Sequence, residues 1–187
     1  MREKFWDQWQ FDFEAAKQMA QKSRKPVFLQ FHRDPCSGCK KLYAETYPDA
    51  LVQQELFSWF VPLGLDILQD RRIRAQYSAV WTPSFYVLDY KGKPYFSIAG
   101  FLNAEDFRVV LRLALSEYLV PKGKYDEAKA HLEEGLNLFP DNPRAATLLF
   151  RIGMIEYLQT WDNKKFIAVM TQIKERYPHS AEARQWP

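Results

Sequence analysis

Apolar positions along the chain switch between two periods, and the switches mark out the elements. Across residues 12–23, Phe13, Ala16, Met19 and Ala20 recur every three or four positions behind Asp12, a side chain suited to a helix start; the spacing predicts a first helix with those four inward. Lys25-Pro26 ends it, since a proline disfavours helical backbone in the residue before it. Residues 27–31 are nearly all apolar and rich in β-formers, the signature of a central strand covered on both faces. Helical residues follow and stop at Tyr47-Pro48. A second helical piece is predicted to place Leu51, Leu56, Phe57 and Phe60 in the core. Residues 61–67 read as a strand, 69–77 as a short helix with Ile73 and Tyr77 on one face, and 84–88 as a third strand. Residues 94–99 pair back across the turn Asp89-Tyr90-Lys91-Gly92-Lys93. Asn103 caps a helix whose apolar stripe is Phe107, Val110, Leu111, Ala114, Leu115 and Tyr118. The order is helix, strand, helix, strand, helix, strand hairpin, helix, which predicts an α/β fold with a mixed sheet.

Beyond residue 120 the strand patterns stop. Tyr125, Ala128, Leu132, Gly135 and Leu136 recur at helical spacing and end at Phe139-Pro140. Pro143 opens a helix through Leu148, Leu149, Ile152, Ile155 and Tyr157. A third, over residues 162–177, turns Phe166, Val169, Met170 and Ile173 inward, and its end at Tyr177-Pro178 echoes Phe139-Pro140. The chain therefore divides into residues 1–120 and an all-helical extension, 121–187. Tyr157, Trp161, Phe166 and Trp186 are large groups to leave in water, at roughly 25 cal/mol per Å² of apolar surface. The extension is expected to find cover on the preceding domain, on a second copy of the chain or on a client protein.

A net charge of +3, with bases and acids interspersed, gives no argument for nucleic acid. No apolar run approaches the ~20 residues of a membrane span. The start, Met1 to Trp9, lacks the apolar core of a secretory signal, so a cytoplasmic setting is the default, or a periplasmic or exported one where a signal has been removed. The two cysteines, Cys36 and Cys39, sit three apart and leave no structural disulfide framework. They fall where the first strand turns into a helix. A pair at that spacing can close a small disulfide ring and reopen it. At a helix start, unpaired N–H groups and the dipole favour an anion, here the Cys36 thiolate. Zinc is a weaker reading: a structural site needs four ligands, and the other donors, His32, His131 and His179, are scattered.

Four features together carry a resemblance to the thioredoxin family over about residues 10–118. They are Cys36-Ser37-Gly38-Cys39-Lys40 after a strand, Thr82-Pro83 before a strand, Gly92 in the hairpin turn, and Gly100 after the last strand. Lys25-Pro26-Val27-Phe28-Leu29 is similar to the opening of such domains that carry a preceding helix. The resemblance implies a thioredoxin fold, a central mixed sheet flanked by helices. It also implies a thiol–disulfide oxidoreductase without a bound cofactor, with Cys36 as nucleophile and Cys39 as resolving thiol, acting on protein disulfides with an unidentified electron donor or acceptor. It further implies a cis Thr82–Pro83 bond facing the cysteines and a substrate-binding ridge of Trp81, Thr82, Pro83 and Gly100. Gly123, Tyr125, Ala128, Leu132, Gly135 and Pro140 resemble the second helix of a tetratricopeptide repeat. Three helices make about one and a half repeats, fewer than such arrays usually need to stand alone.

The chain departs from the family at several positions. Pro35 stands where thioredoxins usually have Trp before the first cysteine, and Ser37-Gly38 replaces Gly-Pro. Gly38 is expected to weaken the helix by about 1 kcal/mol against Ala and soften the loop. The family's buried carboxylate falls on Gln30, which accepts no proton; His32, Asp34 and Glu45 are the candidates to replace it. Trp81 stands where a small residue is common, a candidate to cover the cysteines. The rival function is a protein-interaction module in which the helical extension recruits a partner or forms a homodimer, and the cysteines are secondary or redox-sensing.

Overall fold

A computed structural model describes residues 5–185, so Trp186 and the first four positions lie outside the described residues. The chain divides into two compact units, Met1–Ala114 and Leu115–Pro187.

The first unit is built on a four-stranded sheet in the order β2-β1-β3-β4, made of β1 (Val27–His32), β2 (Val61–Asp66), β3 (Ser84–Leu88) and β4 (Pro94–Ala99). β1 runs parallel to β2 and antiparallel to β3, and β3 is antiparallel to β4. Five of the six β1 residues are buried, because helices cover both faces. Helix α1 (Phe13–Ser23) starts where Asp12 Oδ1 accepts from Ala15 N at 2.7 Å. Phe13, Ala16 and Ala20 of α1 pack with Val27, Leu29 and Phe31. Met19, expected inward, is 43% exposed, since it lies off the stripe those three residues form. On the other face, Phe28 meets Phe60, Phe85 and Phe107 at ring distances of 5.5–5.6 Å.

Helix α2 (Ser37–Lys41) continues into a wide turn, Leu42–Thr46, before Tyr47-Pro48. Helix α3 (Ala50–Trp59) starts at Asp49, whose Oδ1 accepts from Leu51 N and Val52 N. That start sets its phase: Val52, Glu55 and Leu56 turn inward, while Leu51, expected in the core, is 48% exposed in the first turn. Helix α4 (Arg71–Gln76) begins later than its pattern suggested, because Asp66 holds the N–H groups of Leu68 and Gln69 in a turn. In the hairpin, Asp89 Oδ1 accepts from Lys91 N and Lys93 N, and Gly92 takes φ = 84°, which a glycine adopts without strain.

Helix α5 (Ala104–Leu119) is capped by Asn103, whose Oδ1 accepts from Asp106 N at 2.8 Å. Val109, Arg112 and Leu113 are buried along with Phe107, Val110, Leu111, Ala114 and Leu115 of the expected stripe, while Tyr118 is half-buried. Arg112 and Arg108 both donate to the Glu55 carboxylate, at 2.6–3.0 Å, and the Arg112 guanidinium lies 5.0 Å over the Trp59 ring. The division between the units falls within α5.

The second unit is all helical: α6 (Tyr125–Leu138), α7 (Ala145–Thr160), α8 (Asn163–Arg176) and a short α9 (Ala181–Arg184). Its own core includes Ala146, Leu149, Val169, Met170 and Ile173. Gly153 lets α7 and α8 approach: a Cβ there would lie 2.7 Å from Val169 Cγ1. Tyr177 Oη donates to Pro140 O at 2.9 Å, so the two aromatic-proline stops of the sequence are tied together. Tyr157 and Phe166 are half-buried, and Trp161 is 72% exposed.

Candidate active site

β1 ends at His32 and the chain turns through Arg33-Asp34-Pro35 into α2. Cys36 is the N-cap of α2: its backbone is extended (φ −133°, ψ 113°) and its Sγ accepts from Cys39 N at 3.1 Å. A cap sulfur that takes a helix N–H in this way is placed to be stabilised as a thiolate. Cys36 and Cys39 form a disulfide with Cα atoms 5.2 Å apart. Cys36 is 7% exposed and Cys39 1%, so Cys36 is the less covered of the two. No cluster of three or more metal-ligating side chains occurs among the described residues.

The second wall of the site comes from the loop before β3. The Thr82–Pro83 peptide bond is cis, as is Asp34–Pro35. Pro83 is buried against α2: a Cβ on Gly38 would sit 2.9 Å from Pro83 Cδ. Gly38 is therefore required by close packing, which the softening argument from helix propensity did not foresee. Cys36, Trp81 and Thr82 line one pocket of ≈ 310 Å³ with Arg33, Pro35, Ser37, Val80 and Ile67. Within it Trp81 is 65% exposed and Val80 82%, an apolar rim beside Cys36. Gly100 does not line that pocket. It donates from its N–H to Pro83 O at 2.8 Å and has φ = 109°, which excludes most side chains.

Beneath the disulfide helix, Gln30 is 1% exposed. Its Oε1 accepts from Tyr47 Oη, and its Nε2 donates to Tyr43 Oη at 3.4 Å. Burial pushes the Tyr47 hydroxyl well above its ordinary pKa, and burial pushes Tyr43 up to about 12 against the opposing hydrogen bond from Gln30. The carboxylate position of the family is thus filled by a neutral amide held by two neutral phenols. Nothing in the local sequence marks Tyr43 and Tyr47 as partners of Gln30, although they lie four and eight residues past Cys39. Of the candidate replacements, Glu45 is exposed and pairs with Lys41 at 3.8 Å, and Asp34 is exposed. His32 is half-buried; burial lowers its pKa against the opposing pull of Asp66 and Asp70. Lys41 also lies 4.6 Å over the Phe101 ring.

A family model described as a thioredoxin-like domain matches residues 13–115, over half the chain. The chain belongs to the thioredoxin-like family. Its dithiol pair in this fold makes it a thiol–disulfide oxidoreductase of the thioredoxin type. It is 31% identical over 97 residues to the thiol:disulfide interchange protein DsbD of Pectobacterium atrosepticum, a match covering 49% of this chain and only 17% of that protein. A thioredoxin from Thermus thermophilus matches with a TM-score of 0.51 and 20% identity, covering 57% of this chain and 86% of that one, and carries the fold assignment. The C-terminal domain of Neisseria meningitidis DsbD in its oxidised form is 25% identical, with a TM-score of 0.45, over 53% of this chain and 92% of that one. No helix among the described residues is long and apolar enough to cross a membrane.

Proposed function

We propose that the protein exchanges its Cys36–Cys39 pair with disulfides of other proteins through a mixed disulfide on Cys36. In the reduced protein, the Cys36 thiolate attacks one sulfur of the substrate disulfide; the other leaves as a thiolate and takes a proton. Cys39 then loses its proton and attacks Cys36 Sγ, which releases the second substrate thiol and re-forms the disulfide described above. Two electrons pass to the substrate, and an external dithiol must restore them. The observation that carries this reading is the asymmetry of the pair: Cys36 caps the helix and opens to the Trp81 pocket, while Cys39 is covered. Trp81 supplies an apolar rim for the segment flanking the substrate cystine, and the Thr82 backbone pairs with that segment in extended form beside Pro83. Gly100 keeps the strand end beside Pro83 clear of side chains.

Two variants test it. Cys39→Ser should accumulate a mixed disulfide with a reduced-and-reoxidised substrate such as insulin, and Cys36→Ser should not. Equal trapping by both variants, or insulin reduction by the wild type no faster than dithiothreitol alone, overturns it.

A second reading concerns the helical unit. Leu138, Trp161 and Ile167 are 46–72% exposed there, and Ala128, Leu132 and Gly135 are buried in the spacing of a repeat helix. These observations support a repeat-like region that recruits a client or a second copy of the chain. Sedimentation of the full chain, and of Trp161→Ala, tests the self-association arm.

A further inference from the structure

A cavity of the first unit opens beside Lys40, with neither cysteine in its lining. It measures ≈ 670 Å³, within the roughly 300–1,000 Å³ range of small-molecule sites. Its walls are aromatic: Phe5 and Trp6 before α1, and Tyr43 and Tyr47 after α2. Phe5 meets Tyr47 at a tilt and Trp6 meets Tyr43 edge-on, at 5.1 and 5.2 Å, so the rings brace one another. Its polar side chains include Lys40, Tyr43 and Gln53, and the Gln53 amide is taken up in donating to Tyr47 O at 2.7 Å. Lys40 lines the cavity and is exposed, and its ammonium makes no hydrogen bond or ion pair among the described residues. Tyr43 Oη accepts from Gln30, which leaves its own proton without an acceptor among the described residues. Among the described residues that line the cavity, none is a carboxylate.

We infer that this cavity is a binding site for a small amphipathic anion, a carboxylate or sulfonate on an aromatic or medium-chain aliphatic body. The rings take the apolar body by burial. The Lys40 ammonium meets the acidic head as a charge-assisted donor. Among the described lining residues Lys40 is the one charged side chain, and its sign favours anions over cations. The site rests on no part of the thiol-exchange reading, because neither sulfur lines it.

The test uses the full oxidised chain and the probe 8-anilinonaphthalene-1-sulfonate, read by fluorescence and by calorimetry. Saturable one-site binding is expected. Decanoate should displace the probe and decylamine, the same chain with the opposite charge, should not. Ala44→Trp, a half-turn filler on an exposed position lining the cavity, should weaken binding at least tenfold while the melting temperature holds. Lys40→Gln should weaken probe and decanoate by about fivefold, the scale of one exposed charged contact, with Lys40→Arg restoring most of it. Lys40→Glu should abolish binding and covers the case in which the Trp variant misfolds. Absence of saturable binding, equal displacement by decylamine, or affinity unchanged in Ala44→Trp or in Lys40→Gln overturns the inference.

Discussion

At the scale of single residues, the site works through differences between near neighbours. Cys36 and Cys39 share one short helix, yet one sulfur caps it and the other is covered. In the reduced protein, iodoacetamide should therefore label Cys36 well before Cys39 as pH rises. Equal rates, or faster labelling of Cys39, would contradict the assigned roles. Gly38 offers a sharper contest between two effects. Helix propensity says that Gly38→Ala gains about 1 kcal/mol. Packing says that the new Cβ meets Pro83 Cδ at 2.9 Å and costs about 1–3 kcal/mol. Packing should win because Pro83 is itself buried, so Gly38→Ala should lower the denaturation midpoint; a raised midpoint would show that Pro83 yields. The motif at 36–39 and the Thr82-Pro83 pair were plain in the sequence. The replacement for the family's buried carboxylate was not. Gln30 gains meaning only from Tyr43 and Tyr47, which reach it across the gap between a strand and a helix.

At the scale of elements, α3 and α5 are joined by a charge cluster that pattern reading passed over. Periodicity assigns arginines and glutamates to the solvent face, yet Arg112 is 1% exposed and Glu55 8%. Burial alone would raise the Glu55 pKa; the hydrogen bonds and charges of Arg112 and Arg108 outweigh it and hold the carboxyl below its ordinary 4.5. A group whose folded pKa is depressed contributes stability above its unfolded pKa and loses it as pH falls through the folded one. The wild type should thus lose stability as pH drops below about 4.5, and Glu55→Gln should flatten that part of the curve. At neutral pH the same variant should be about 3 kcal/mol less stable, since it removes the negative charge that pairs with two buried guanidinium groups. Chemical denaturation of both proteins at pH 7 and pH 4 reads both effects. An acid limb unchanged in Glu55→Gln would show that other carboxylates carry it.

At the scale of the whole molecule, the question is what the helical unit does for the redox unit. The recruiting reading expects residues 1–120 alone to stay folded and to reduce insulin at a rate within about twofold of the full chain, while self-association or client capture is lost. A fall of several degrees in melting temperature would instead make the extension a structural part, at ~4–8 °C per kcal/mol for a domain of this size. A truncated protein unchanged in stability, assembly and binding would leave the extension without either role. The order of elements, the mixed α/β sheet and the position of the cysteine pair were all determined by the sequence. Each rests on local information: a period of two or three and a half, a capping side chain, a proline stop, two thiols one turn apart. The phase of α3, the burial of Arg112, the need for glycine at 38 and the Gln30 hydrogen bonds were decided only in the tertiary structure. They depend on which distant segments come within a few ångströms of one another, and spacing along a chain does not encode that distance.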